Sequence, residues 1–268
     1  MAILALHTAA TGMNAISTKI DVVANNLANA NTTGFKAQRV NFEDLLYQEK
    51  AQPGVENANG DQRPAGIFVG LGTRVANTDF NFQQGSPINT GQPLDLLIDG
   101  NGFFAVDIAQ NESTGTGYTR AGNFFVNSER QIVLGNSNGP RLEPPIELPP
   151  DTVSVDITAD GQVLASISGE PEPTNAGEIP VSVFVNPKGL RPLGDNIFVE
   201  TEASGPPLTM TPGTEGAGTL LQGFLEASNV DPVEQLVDLI KAQRAFEMNS
   251  QSIDAADRSL QVISNLGQ

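Results

Sequence analysis

The sequence predicts an α+β fold in which long N- and C-terminal helices form a coiled coil and a β-rich domain lies between them. Three observations predict this fold. Apolar residues recur at intervals of three and four at both ends of the 268-residue chain, and short β-prone runs separated by turns fill the middle. Most of the formal net charge of −17 also lies in that middle. The length accommodates one or two domains with a buried core.

The first thirty residues repeat apolar side chains over more than three heptads, which is typical of a helix in a coiled coil. Gly34 follows the last repeat and is the predicted C-terminal stop, because glycine readily adopts the left-handed conformation found there. Ala9 and Ala30 fit the repeat as small residues. The large residues of this predicted assembly seam are Leu6, Met13, Ile16, Ile20, Val23 and Leu27.

The last 38 residues predict a second long helix. Asp231 is the predicted N-cap, Pro232 occupies the first helical position, and Glu234 follows the cap by three residues. A second heptad repeat then begins, with small or polar residues at alternate seam positions. The large seam residues of this helix are Leu239, Phe246, Ile253, Leu260 and Ile263.

The middle of the chain predicts antiparallel β structure. Its short runs of β-branched and aromatic residues are separated by turn dipeptides such as Asp160-Gly161. Residues 48–66 are polar and rich in Gly and Pro, which predicts a long arm rather than core. The β-prone runs lie at 96–98, 103–106, 124–126, 153–155, 163–165 and 181–185.

These elements predict three domains, two of them discontinuous in sequence. They are a terminal helical coiled-coil domain of residues 1–35 and 231–268, an extended or β connecting region of residues 36–94 and 200–230 that carries the arm, and a β-rich outer domain of residues 95–199.

The charge is unevenly distributed along the chain. Residues 1–50 sum to zero and residues 231–268 to −3, so the remaining −14 lies in residues 51–230. This distribution predicts that the ends pack against protein and that the middle faces solvent. The acidic excess argues against nucleic acid as a partner.

The N-terminal helix lacks the charged face of a solvated helix. From Met1 to Phe35 only Lys19 and Asp21 carry formal charge, and several polar positions are Asn, which is a poor residue for a helix interior. The composition predicts that other copies of the chain cover this helix. An ordinary two-helix hairpin on a monomer is the alternative; it explains the heptads but not the missing charges.

Candidate catalytic, cofactor and metal sites fail on their context. His7 is the single histidine, and it lies within the N-terminal repeat without a recognisable nucleophile or orienting partner. The glycine-rich residues 66–73 lack the lysine of a phosphate loop, and residues 99–102 lack the ligands of a calcium loop. Cysteine is absent. The sequence therefore predicts no enzyme, no cofactor and no small-molecule substrate. It also predicts neither a transmembrane helix nor a cleaved signal.

Two long segments resemble the end signatures of the bacterial flagellar rod and hook protein family. Residues 24–48 read ANNLANANTTGFKAQRVNFEDLLYQ, and residues 218–253 read GTLLQGFLEASNVDPVEQLVDLIKAQRAFEMNSQSI. Residues 94–106 and 118–133 resemble the family between these ends, so the resemblance spans essentially the full chain. Within the family, the stretch FEDLLYQ is most similar to subunits of the distal rod. The signature residues are Asn25, Asn26, Leu27, Asn29, Gly34, Phe35, Lys36, Gln243, Arg244 and Phe246.

The resemblance implies an axial structural subunit that polymerises with itself into the straight distal rod, which transmits torque from motor to hook. The implied partners are other rod subunits, the hook protein, the rod cap during assembly and the ring bushing. It also implies export by the flagellar type III apparatus and a place in the periplasm-spanning rod of the basal body. Two alternatives stay open, namely another rod subunit of similar length from the proximal rod, and a non-flagellar secreted binding protein with a β domain.

Overall fold

The computed structural model describes residues 2–54, 64–108, 115–169, 172–214 and 216–266. The chain divides into two compact units. The helical unit comprises Met1–Ala28, Gln38–Phe80 and Asp231–Gln268, and the β unit comprises Asn29–Ala37 and Asn81–Val230. The predicted α+β class, with a helix at each end and a β-rich middle, is confirmed. The finer division into three domains stays a prediction.

The helical unit contains two long helices and a two-stranded β-ribbon. Its elements are α1 (Ala2–Ala28), β1 (Gln38–Asp44), β2 (Tyr47–Ala51), β3 (Ile67–Gly70), β4 (Thr73–Phe80) and α2 (Pro232–Leu266). Strand β1 pairs antiparallel with β4, and β2 pairs antiparallel with β3. The Leu45 N–H donates to the Gly72 carbonyl at 2.9 Å and the Leu71 N–H to the Leu46 carbonyl at 3.1 Å, so the two pairs form one continuous ribbon.

The predicted arm is partly an extension of this ribbon. Residues 48–51 lie in β2 and pair with β3, while residues 55–63 of the arm lie outside the described part of the chain. Polarity and turn residues predict an arm, whereas pairing of β2 with β3 makes the first residues of that arm an extended strand.

Helix α2 begins as predicted. The Asp231 Oδ1 accepts hydrogen bonds from the Val233 N–H at 2.8 Å and the Glu234 N–H at 3.3 Å. Two of the N–H groups that lack intrahelical partners are thereby satisfied, and Pro232 at the first position has no N–H to satisfy. This cap defines the start of α2, which is 35 residues long.

Helix α1 ends at Ala28, earlier than the predicted stop at Gly34. A turn follows, in which the Thr32 N–H donates to the Asn29 carbonyl at 3.1 Å and the Thr32 hydroxyl to Asn29 Oδ1 at 3.1 Å. Asn and Thr side chains offer the backbone such alternatives to helical bonds, and here the turn replaces the last predicted repeat at Ala30. Gly34 has a positive φ, as predicted, but it serves a contact within the β unit rather than a helix end.

The β unit is built from short antiparallel strands. The strands are β5 (Pro87–Asn89), β6 (Leu96–Asp99), β7 (Phe104–Asp107), β8 (Thr116–Thr119), β9 (Phe124–Val126), β10 (Ile132–Leu134), β11 (Thr152–Ile157), β12 (Gln162–Ile167), β13 (Thr174–Glu178), β14 (Val181–Val183), β15 (Arg191–Gly194), β16 (Ile197–Val199), β17 (Leu208–Met210), β18 (Thr219–Gln222) and β19 (Phe224–Glu226). Its sheets pair β5 with β19, β6 with β18, β9 with β10, and β14 with β17, and they include the three-stranded β11-β12-β13 and the four-stranded β15-β16-β8-β7. All six predicted β-prone runs overlap strands β6, β7, β9, β11, β12 and β14.

One hydrophobic cluster forms the core of the β unit. It extends from Leu96 to Val199 and also takes in Leu220 of β18. Gln222 on the same strand completes the edge of β11, because its side-chain amide donates to the Val155 carbonyl at 2.8 Å and accepts from the Ile157 N–H at 3.1 Å. The core of the predicted outer domain therefore depends on residues well beyond 199.

Among the described residues, neither helix combines the length and the apolar character needed to cross a membrane.

Candidate assembly site

The two terminal helices pack against each other antiparallel within the helical unit. Gly12 lies against Asn249, where a Cβ on Gly12 would be 3.2 Å from the Asn249 Nδ2. Further along, Lys19 Nζ is 3.9 Å from the Asp238 carboxylate. Glycine at this position leaves room for the Asn249 side chain between the two helices. The helices are thus in contact, and their supercoiling into a coiled coil stays a prediction.

The predicted seam of α1 is largely covered in the single chain. Val23 is buried, and the other five seam residues are half-buried. The pattern missed Ala15, which is also buried, because a lone alanine off the heptad carries little signal. The half-buried residues are Leu6, Met13, Ile16, Ile20 and Leu27.

The predicted seam of α2 is covered to a lesser degree. Leu239, Ile253 and Leu260 are half-buried, and Phe246 is 39% exposed. Ile263 lies in α2, but its side chain is outside the described part of the chain. Whether these residues complete an assembly seam between copies stays a prediction.

Asn26, a signature residue, joins three segments of the helical unit. Its Oδ1 accepts from the Gln38 N–H at 2.9 Å, and its Nδ2 donates to the Gln38 carbonyl at 2.7 Å and to Gln235 Oε1 at 3.1 Å. The side chain is 2% exposed. A buried amide with its donors and acceptors satisfied fixes geometry well, so Asn26 ties α1 to β1 and to α2.

Gly34 allows a close backbone contact inside the β unit. Its φ is +70°, and a Cβ there would lie 2.6 Å from the Ala121 nitrogen. The Gly34 N–H donates to the Glu226 carbonyl at 2.8 Å. Glycine is the residue that meets both the positive φ and the lack of space.

Lys36, two residues later, lies in a buried ionic cluster with Arg120 and Glu226, which belong to no predicted site. Lys36 Nζ is 2.5 Å from Glu226 Oε1, and Arg120 Nη1 is 3.5 Å from Glu226 Oε2. Lys36 also donates to the Gln83 carbonyl at 2.8 Å, and the Gly85 N–H donates to Glu226 Oε1 at 2.8 Å. The signal available in the sequence was one carboxylate, Glu226, within the apolar run Phe224–Ala227.

Burial governs the electrostatics of this cluster. Desolvation lowers the pKa of Lys36; the Glu226 carboxylate opposes this shift and the Arg120 guanidinium adds to it. Burial also lowers the pKa of Arg120 against the same carboxylate. Arg120 is further held by the Gly100 carbonyl at 2.8 Å and by the Phe103 ring, whose centroid is 5.4 Å away. Two cations share one carboxylate, so Glu226 holds the cluster together.

Asn229 fixes the chain segments around Lys36. Its Oδ1 accepts from the Ala37 N–H at 2.7 Å, and its Nδ2 donates to the Asn81 carbonyl at 2.7 Å and the Gln83 carbonyl at 3.0 Å. Within the β unit, the Asn229 side chain therefore connects by hydrogen bonds the segments that precede β1, follow β4 and precede α2.

The remaining signature residues divide between partial burial and exposure. Leu27, Asn29 and Phe35 are half-buried, whereas Asn25, Gln243, Arg244 and Phe246 are exposed. His7 is exposed on α1, and the described residues contain no group of three metal-ligating side chains. The site is thus a set of packing surfaces and buried polar ties.

Three family profiles match the chain. They are described as "Flagella basal body rod protein" over residues 6–36, "Flagellar hook protein FlgE/F/G D1 domain" over residues 97–165, and "Flagellar basal body rod FlgEFG protein C-terminal" over residues 221–266. The matches fall on the N-terminal helix and the loop after it, on the β unit, and on β19 with α2.

Curated relatives match nearly the whole chain. The flagellar basal-body rod protein FlgG of Caulobacter vibrioides is 43% identical over 263 residues, which cover 98% of each chain. Proteins of the same name are 42% identical in Agrobacterium fabrum, over 97% of this chain and 98% of the relative, and 42% in Borreliella burgdorferi, over 98% of each. The resemblance found in the sequence is confirmed, and this chain belongs to the flagellar basal-body rod protein family.

Proposed function

We propose that the chain is the repeating subunit of the distal rod, an axial structural element of the flagellar basal body that transmits torque from motor to hook. Membership of the rod family over the full length supports this assignment. The role is mechanical, and the proposal gives the chain no reaction and no cofactor.

The exposed face of α1 carries the proposal that the subunit polymerises with itself. Its nine exposed positions between Leu4 and Ala28 are mainly Ala, Asn and Ser, with His7 and with Asp21 as the one residue that carries formal charge. A helix face of this composition carries little charge, and its small residues permit close approach of another helix. Other copies of the chain are the proposed cover. The exposed residues are Ala5, His7, Ala10, Asn14, Ser17, Asp21, Ala24, Asn25 and Ala28.

The other proposed partners follow from the place of the subunit in the rod. They are neighbouring rod subunits, the hook protein, the rod cap during assembly and the ring bushing around the rod. The β unit, which holds most of the negative charge, would face the bushing. We further propose export through the flagellar type III apparatus and ordering of the terminal helices upon addition to the growing tip.

The β-ribbon and its arm are proposed to stiffen the rod. Tyr47 and Phe68 are more than half exposed on β2 and β3, so the ribbon presents apolar surface that a neighbouring subunit could cover. A paired, two-stranded ribbon between subunits resists bending better than a flexible loop.

Electron microscopy of basal bodies from cells that lack this chain tests the proposal. We expect a rod that stops before its distal segment and carries no hook, with full length restored when the chain is returned. A rod missing from its base would instead favour the proximal-rod alternative. Complete basal bodies with hooks would overturn the proposal.

A further inference from the structure

A groove in the helical unit lies between α1, the β-ribbon and α2. Its main part has a volume of about 600 Å³ and a mostly apolar lining that includes Gly12, Ile16, Phe42 and Gly72. A second part, of about 560 Å³, continues from Thr8 towards the start of α1 and reaches Leu4 and Lys50. The groove therefore follows α1 over about three turns.

Asn249 gives this mostly apolar groove a polar side chain that can form hydrogen bonds with an occupant. It lines both parts of the groove, and among the described residues its side-chain amide forms no hydrogen bond. An amide that becomes buried without a hydrogen-bond partner is destabilising. An occupant of the groove is therefore expected to bring apolar side chains together with one hydrogen-bonding group.

The first turns of α2 present a matching surface. Val233, Leu236, Val237 and Ile240 are between 45% and 70% exposed, and their spacing places them on one face of the helix. We call these four residues the ridge. Gln243 follows the ridge by one turn, is exposed, and forms no hydrogen bond with the described residues.

We infer that the ridge of one copy docks into the groove of a second copy, an interface that rests on the proposed self-assembly. The ridge extends over about 10 Å and the main part of the groove, from Thr8 to Ile16, over about 12 Å, so the two match in length. Ridge and groove are different surfaces of one chain. Their contact is heterologous, and repeating it builds a helical array rather than a closed dimer.

The direction of docking follows from this polarity. In an array whose copies share one direction, α2 of each copy runs opposite to α1 of its neighbour, as it does within one chain. Val233 then lies towards Ile16 and Ile240 towards Thr8, with Gln243 one turn further along the groove. Glu247, whose carboxylate has no partner among the described residues, reaches the end of the groove that Lys50 lines. Charge complementarity thus favours the same direction.

Charge exchange in assembled rods tests the interface. In cells whose only copy is the variant, Glu247→Lys should reduce the number of distal rods about fivefold, because two cations then meet, and adding Lys50→Glu should restore it. Ile240→Glu should reduce rods at least tenfold, since it buries a carboxylate in the apolar groove. Val262→Glu, at a position on α2 that is 58% exposed and lies outside the interface, is the matched control and should have a small effect.

Cross-linking adds a direct readout, because the chain has no cysteine. Two differently tagged chains, one with Thr8→Cys and one with Ile240→Cys, should form mixed disulfide dimers in rods, and Ser259→Cys in place of Ile240→Cys should not. The Ile240→Glu monomer should unfold in urea like the parent chain, which excludes misfolding of the β unit. Rods that form normally with Ile240→Glu, or that yield no mixed dimers, would overturn the inference while leaving the proposed function intact. Absence of rods built from the unmodified chain would overturn both.

Discussion

Lys36 Nζ lies 2.5 Å from Glu226 Oε1, with both side chains only 1% exposed. This pair joins the loop after α1 to the last strand before α2, inside the β unit. Arg120 is the second cation at the same carboxylate. Because one buried carboxylate balances two cations, Glu226 contributes more to the stability of the folded chain than either cation does.

Removing the anion should therefore cost more than removing one cation. Glu226→Gln leaves Lys36 and Arg120 buried together without a counter-charge and should lower the free energy of unfolding by about 3–5 kcal/mol. Lys36→Met leaves the Arg120–Glu226 pair balanced and should cost less than about 2 kcal/mol. Urea unfolding measures both.

The exposed pair of Arg141 and Glu129, 3.3 Å apart, is the matched control. Glu129→Gln should change stability by less than about 1 kcal/mol, as expected for a surface ion pair. If Lys36→Met lowers the free energy of unfolding as much as Glu226→Gln does, the proposed central role of Glu226 in the cluster is wrong.

Gly34→Ala should be far more destabilising than Gly91→Ala. Both glycines have a similar positive φ, +70° and +67°, but a Cβ on Gly34 meets the Ala121 backbone at 2.6 Å while one on Gly91 meets nothing within 4 Å. Gly91→Ala should show the backbone cost alone, about 1–2 kcal/mol. Gly34→Ala should add about 1–3 kcal/mol of overpacking in thermal or urea unfolding. Equal effects would refute the close approach.

Stability should fall above pH 10 because of Tyr118. Desolvation, with smaller contributions from Glu200 and Glu143, raises its pKa from 10.0 to about 12. The folded chain holds this proton to higher pH than the unfolded chain, so the free energy of unfolding decreases as pH rises from about 10 to about 12. Tyr118→Phe should remove that slope.

The two tyrosines and the absence of tryptophan make the titration readable by tyrosinate absorbance. A hydrogen bond with Asp44 raises the pKa of Tyr47, which is exposed on the β-ribbon. In a Tyr47→Phe chain the single remaining step should appear near pH 12. A step at pH 10 in the folded chain would contradict the burial of Tyr118.

Ile253→Asp tests the predicted assembly seam. A carboxylate buried there costs several kcal/mol in each subunit of a polymer, so polymerisation should be lost. Monomer solubility and the melting of the β unit should change little, because the seam is proposed to order on assembly. Asp257→Asn, on the same helix, is the mild control. Unfolding of the monomer by Ile253→Asp would place the seam in a monomeric core instead.

Shortening the arm while keeping the β2–β3 pairing tests whether the arm stiffens the rod. Ala51 pairs with Ile67, so replacing residues 52–66 with Asn-Gly leaves a two-residue hairpin turn and keeps the paired ribbon. Electron microscopy should show rods that curve or fail to form. Straight rods of normal length would show that the arm does not stiffen the assembly.

Local sequence signals determined much of this protein. The Asp231-Pro232 start of α2 was predictable because a helix cap depends on adjacent residues. The strands were predictable because a buried strand is encoded by a short run of β-branched and aromatic residues. The end of α1 was predicted too late, since the Asn29–Thr32 turn competes with the heptad signal only in the folded chain.

Tertiary structure alone decided the rest. The meeting of Lys36, Arg120 and Glu226 brings together residues 84 and 106 positions apart. No sequence periodicity predicts this cluster, because the sequence around each of the three residues does not distinguish it from an exposed charged residue. The inclusion of Leu220 in the core and the pairing of β1 with β4 are likewise matters of strand register between distant segments. The sequence specified the elements through near-neighbour propensities, and their long-range burial and hydrogen bonding decided which residues meet.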